Sequence, residues 1–157
     1  MAIAAEKRKA LRKCDGAIQT AVAKLLAGRA KAGEACAAPA FMCVQTKAGD
    51  VPCLTKAGNT CTKAFAALPK LETKFASTVA KVCSASPLVS ADLLASEGLG
   101  ASASAETCAA LGVPSLATVA DVTTCLERQI ACRADQLVEN ATPRLGELLG
   151  LGGVVLP

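Results

Sequence analysis

The sequence predicts an all-α protein: a long antiparallel helical hairpin stapled by disulfides, followed by a smaller helical C-terminal subdomain, packed as a bundle. Three observations carry this. Apolar residues recur at three- and four-residue steps through most of the chain, and no stretch alternates as a strand would. Two of the helical stretches, "CDGAIQTAVAKLLAGRAKAGEAC" (Cys14–Cys36) and "CTKAFAALPKLETKFASTVAKVC" (Cys61–Cys83), carry cysteines at one shared spacing of 22 residues. Between them lies a segment rich in turn residues.

In the first arm, residues 2–36, the positions Leu11, Cys14, Ile18, Ala21, Leu25, Ala32 and Cys36 fall on one face of a helix. Gly28 lies on that face, where a missing side chain admits a partner helix, and Lys and Arg occupy the other faces. Residues 37–54, with Pro39, Gly49–Asp50 and Pro52, read as the connection. The second arm sets Cys61, Ala64, Leu68, Leu71, Phe75, Val79 and Val82 in register, with Pro69 expected to kink it or divide it in two.

Beyond Cys83 a short helix is expected at 90–96, stopped by Gly98 and Gly100, and another at 103–111, ending at Gly112. The longest helix of this half covers 116–140, with Ser115 or Thr118 as N-cap and Asp121 in the first turn. Its core stripe reads Val119, Leu126, Ile130, Ala134 and Leu137. Thr142–Pro143 opens a last short helix, "RLGELL", ahead of the tail "GLGGVVLP".

Composition narrows the chemistry. The chain has 157 residues and is 52% hydrophobic, but much of that is alanine; there are three Phe and no Trp or Tyr. Such a core needs close backbone packing or covalent help. Histidine is absent, which removes Ser-His and Cys-His nucleophile pairs, His-ligated zinc and haem, and imidazole acid–base work. Asp121, Glu127 and Asp135 share one helix without a paired geometry, so no catalytic residue is assigned and a non-enzymatic protein is expected.

Charge divides the chain. Residues 1–83 hold 14 Lys or Arg against 5 Asp or Glu, and residues 84–157 hold 3 against 8. We therefore place a module boundary at Cys83, between a basic hairpin (1–83) and an acidic subdomain (84–157). A +9 half and a −5 half favour docking within the molecule or head-to-tail contact between copies. The run "EKRKALRK" (residues 6–13) lacks interleaved aromatics, so it reads as a solvated helix end and no nucleic acid partner is expected.

Nine cysteines supply the covalent help. In a helix, 22 residues advance about 33 Å and leave each Cys pair about 40° from a common face, so two arms folded back can be bridged at both ends. The pairs Cys14–Cys83 and Cys36–Cys61 share one midpoint, between residues 48 and 49, and Cys43–Cys53 centres on residue 48. That midpoint falls in "KAGD", where turn residues already lie. Six cysteines allow 15 connectivities. The nested set is preferred because an independently expected turn sits at its centre.

In the acidic half, Cys125 and Cys132 lie two turns apart on one helix, about 10 Å, too far to bond each other. Cys108 can reach either one; Cys125 is nearer the turn, so Cys108–Cys125 is expected and Cys132 is left as a free or intermolecular thiol. The alternative use of Cys108, Cys125 and Cys132 is thiolate binding of Cu(I), which needs no histidine. Copper-storage bundles cluster their cysteines as CxxxC, and this chain contains neither CxxxC nor CxxC. The same absence excludes zinc fingers and thioredoxin-like redox chemistry. No cofactor is expected. A third alternative is a carrier holding a small hydrophobic ligand between hairpin and cap.

The stretches "CLERQIACRADQLVENATPRLGELL" (Cys125–Leu149) and "SADLLASEGLG" resemble segments of Cys-rich, Ala- and Lys-rich helical proteins predicted to be exported by environmental bacteria. That group has no assigned activity, so the resemblance implies export and carries over no functional residue. Disulfides also require an oxidising compartment, and we expect an extracytoplasmic protein. "MAIAAEKRKALRK" has too few apolar residues for an export leader, which is expected to be missing from this chain. No apolar run reaches membrane-spanning length. Self-association is expected through the opposite charges, Cys132, and the apolar tail residues Val154, Val155, Leu156 and Pro157.

Overall fold

The structure, a computed structural model, describes residues 4–154. It is all-α, with no strand among the described residues, and a long helix packs against two shorter ones as an antiparallel hairpin. Helix α1 runs Ala5–Thr46, α2 Val51–Ala66 and α3 Leu68–Cys83. Then come α4 (Ser90–Leu94), a 3₁₀ turn (Ala101–Ser104), α5 (Ala105–Ala110), α6 (Val119–Ala141) and α7 (Leu145–Leu151).

Helix α1 is longer than its periodicity promised. It continues ten residues past Cys36 and carries Pro39 in its interior. Proline there removes one backbone hydrogen bond. On either side of it Cys36 and Cys43 are bonded to the opposite arm, and Ala37 and Ala40 are buried between them. Two covalent anchors and a buried face hold the helix through the defect. The true connection is only residues 47–50, where Gly49 takes a φ of 81°, a left-handed conformation suited to glycine. Asp50 then caps α2, its carboxylate accepting from the Cys53 N–H at 3.2 Å, and Pro52 sits in the first turn.

Pro69 divides the second arm, as its ring requires. Helices α2 and α3 are separated by Ala67 alone, and the proline falls in the first turn of α3, where no N–H is missed. Helix α6 is capped by Thr118: its hydroxyl accepts from the Asp121 N–H at 3.2 Å. In return, Asp121 accepts from the N–H groups of Ala117 and Thr118 at 3.0 and 2.8 Å.

Packing divides the chain into two compact units, Met1–Leu25 with Glu72–Ile130, and Leu26–Leu71 with Ala131–Pro157. Their boundaries fall inside α1, α3 and α6 and not at Cys83, where the charge composition changes. In the first unit the buried residues include Leu11, Cys14, Ala21 and Leu25 of α1 and Phe75, Val79 and Cys83 of α3. Cys108, Val113 and Cys125 form a small cluster with Leu116 packed against it. In the second unit one cluster joins Cys36, Ala37, Ala40 and Cys43 with Ala57 and Cys61, and with Val138, Leu145, Leu148 and Leu149.

The expected α6 stripe is corrected at three positions: Val119 and Leu126 are only partly buried, and the buried face runs Val122, Cys125, Ile130, Ala134 and Val138. Leu137 is 53% exposed, and its neighbour Val138 is buried at 5%. Steps of three and four from Ala134 allow either residue. Gly33 decides, because its bare backbone leaves room for Val138, whose Cγ1 would stand 2.9 Å from any Cβ added there. Gly58 of α2 meets the backbone of Gly152 in the same way, and a Cβ at 58 would collide with the Gly152 carbonyl oxygen.

These contacts give a paired prediction. Gly58→Ala should lower unfolding free energy by about 1–3 kcal/mol, because a backbone oxygen cannot swing aside. Gly16→Ala, in α1 with nothing within 4 Å of its Cβ position, should raise it by about 0.5–1 kcal/mol. Urea unfolding of the two variants checks both signs.

Candidate functional site

Eight of the nine cysteines are joined: Cys14–Cys83, Cys36–Cys61, Cys43–Cys53 and Cys108–Cys125. The first three bridge α1 to α3 or α2 at Cα separations of 4.8, 4.3 and 5.8 Å. Cys14 and Cys83 are fully buried, and Cys36, Cys43 and Cys61 nearly so. The fourth bridge ties α5 to α6 at a Cα separation of 5.2 Å, and the Gln129 side-chain amide donates to Cys125 Sγ at 3.4 Å.

Cys132 carries no disulfide and is exposed. The copper alternative needs thiolates at Cys108, Cys125 and Cys132, and two of these sulfurs are bonded to each other. Among the described residues no group of three Cys, Asp or Glu is arranged to hold a metal ion. The alternative is corrected on the ligands themselves.

The assembly residues fare differently from one another. Val154 packs against the core cluster of its own unit, with its N–H donating to the Leu149 carbonyl at 3.0 Å. Val155, Leu156 and Pro157 lie outside the described residues. The charge halves are also interleaved within each unit. The first unit holds nine Lys or Arg against eight Asp or Glu, the second eight against five. Lys7 Nζ and Asp92 Oδ1 pair at 2.9 Å across the two sequence halves. In the second unit the buried Arg29 attracts the half-buried Asp135.

The sequence reading missed an apolar cleft in the second unit, of about 370 Å³. Its floor is one face of α1, Glu34, Ala37, Ala38 and Phe41, and its wall is the α6–α7 junction, Ala141–Arg144. Phe41, one of three aromatic residues in the chain, is 38% exposed there. The floor follows helical spacing, but Pro39 made this segment read as a turn. Arg144 at the rim donates to Glu147 through Nε and Nη2, at 2.8 and 2.6 Å.

No family model matches this chain, and neither any curated protein nor any solved structure matches it.

Several carboxylates are shifted. The Lys7 hydrogen bond, joined by one from the Val89 N–H, holds Asp92 below its ordinary value. Hydrogen bonds from Thr118 and the Ala117 N–H do the same for Asp121. Such groups stabilise the fold fully above the ordinary carboxylate range, and lose that contribution as pH falls through their lowered values. Asp135 runs the other way, because burial raises it against the attraction of Arg29. Its charged form opposes folding at neutral pH, and that cost fades as pH falls through the raised value. As pH falls below the ordinary aspartate value of 3.8 unfolding free energy should fall, and Asp92→Asn with Asp121→Asn should flatten the decline. Thermal unfolding across that range measures it; an unchanged slope in the double variant would refute the assignment.

Proposed function

We propose that this chain is a non-enzymatic, extracytoplasmic structural or binding module whose rigidity comes from its disulfides. The observation that supports it is the commitment of eight cysteines to bridges, three of them nested along one hairpin. Bridges of this density belong to oxidising compartments and to cores too thin to stand alone. Among the described residues no helix is long and apolar enough to cross a membrane. The absence of histidine removes Ser-His and Cys-His nucleophile pairs, His-ligated zinc and haem, and imidazole acid–base work.

In the assembly form of this reading, copies meet through the exposed Cys132 and residues 155–157. The interleaved charges weigh toward docking within the molecule. A second reading is favoured by the apolar cleft of α1 and the α6–α7 junction: a carrier for a small hydrophobic ligand. If it holds, Ala38→Trp, which fills the cleft from an exposed position, should abolish binding of an apolar fluorescent probe without lowering stability. Retained binding in that variant excludes the cleft.

Thiol counting with intact mass tests the main reading. The native protein should accept one alkylating group, at Cys132, and nine after reduction and unfolding. Replacing Cys14 and Cys83 together with serine should cost about 2–4 kcal/mol of unfolding free energy. Nine accessible thiols in protein recovered from its own compartment, or stability indifferent to reductant, would sink it.

A further inference from the structure

The basic run at residues 6–13 places Lys9 and Lys13 one turn apart on α1. Within the first unit they line one cleft, of about 420 Å³, together with Lys81 of α3 and Ser86 of the segment that follows. Lys7, by contrast, is answered by Asp92 at 2.9 Å. Among the described residues none of the three cleft ammonium groups has an ion-pair partner. Like charges one turn apart repel, and Lys81 adds to that repulsion from the other helix. The single carboxylate in the lining is Glu6, which leaves the cleft with two uncompensated positive charges. Beside the charges stands an apolar wall of Val82, Ala85 and Pro87.

We propose that this cleft binds a small organic phosphate ester, with the phosphate among Lys9, Lys13 and Lys81 and the carbon portion against Val82, Ala85 and Pro87. A phosphate monoester carries between about one and a half and two negative charges at neutral pH, which cancels the excess. Lysine answers phosphate as a point charge without requiring a fixed fork, and the Ser86 hydroxyl adds a donor. All three lysines and Ser86 are exposed, so the cleft is open and would cover a small ester on one side. No aromatic side chain lines it, so bases of a nucleic acid strand have no stacking platform. The ester is either free or part of a lipid headgroup, two sources of one chemistry. The proposal goes beyond the structural reading, and its failure would leave the thiol count untouched.

The test is calorimetric titration of the oxidised full chain with hexyl phosphate, inorganic phosphate and hexanol. Alongside it runs co-sedimentation with phosphatidylcholine vesicles with and without phosphatidic acid. Hexyl phosphate should saturate one site per chain, more tightly than either other probe. Lys13→Gln and Lys81→Gln should each weaken it about threefold, the size of an exposed charge pair. Lys24→Gln, an exposed lysine of α1 outside the cleft, should leave it unchanged. Sedimentation only with phosphatidic acid, lost in the Lys13→Gln/Lys81→Gln double variant, assigns the phosphate to a lipid headgroup. Two results overturn the proposal: no phosphate bound in either form, or Lys24→Gln as damaging as Lys81→Gln.

Discussion

Everything in this fold depends on holding two antiparallel helical arms at a single register. A sulfur–sulfur bond tolerates a narrow range of Cα separations, so a bridge fixes where two helices touch as well as whether they do. One bridge would leave an arm free to pivot about it. Bridges near both ends of the arms, Cys14–Cys83 and Cys36–Cys61, leave no sliding motion that keeps both intact. Cys43–Cys53 then closes the tip beside the four-residue turn.

That fixed register is what allows so plain a core. Alanine and glycine bury little area, and their packing is favourable only at short helix separation. Between the arms, Gly28 of α1 makes room for Leu71 of α3, whose Cδ1 would stand 2.5 Å from a Cβ added at residue 28. A slip of one arm by a residue would carry Leu71 off that bare backbone and against a side chain. Covalent register and small residues therefore support each other. Bulky side chains in their place would tolerate a looser hairpin, as ordinary bundles do.

The features readable in the sequence are those governed by period and by chemistry close along the chain. Cysteine spacing, the helical faces of both arms, the break at Pro69 and the Thr118–Asp121 cap all follow from local rules. What the sequence obscured depended on residues far apart. Pro39 looked like the end of a helix because the bridges expected at Cys36 and Cys43 do not specify the backbone between them, which the burial of Ala37 and Ala40 keeps helical. Leu137 and Val138 were equivalent by period until the bare surface of Gly33 chose between them. The apolar cleft was hidden by the same proline, which disguised its floor as a turn. Charge composition located a boundary at Cys83, whereas the compact units divide inside three helices, because long-range packing takes no account of local composition.

The nesting of the three hairpin bridges also bears on how the chain is oxidised. Their sequence separations are 10, 25 and 69 residues, and each lies wholly inside the next. The entropy lost on closing a loop grows with its length, so the bridge beside the turn meets the smallest barrier. Once it exists, the path joining Cys36 to Cys61 runs through it and is shorter, and the same holds again for Cys14 and Cys83. Oxidation that starts at the tip thus proceeds outward as a zipper, each closure bringing the next pair of thiols together. Starting from the outer pair would enclose four unpaired cysteines in one large loop, with several wrong partners for each. The arrangement that fixes the finished hairpin also favours one order of making it.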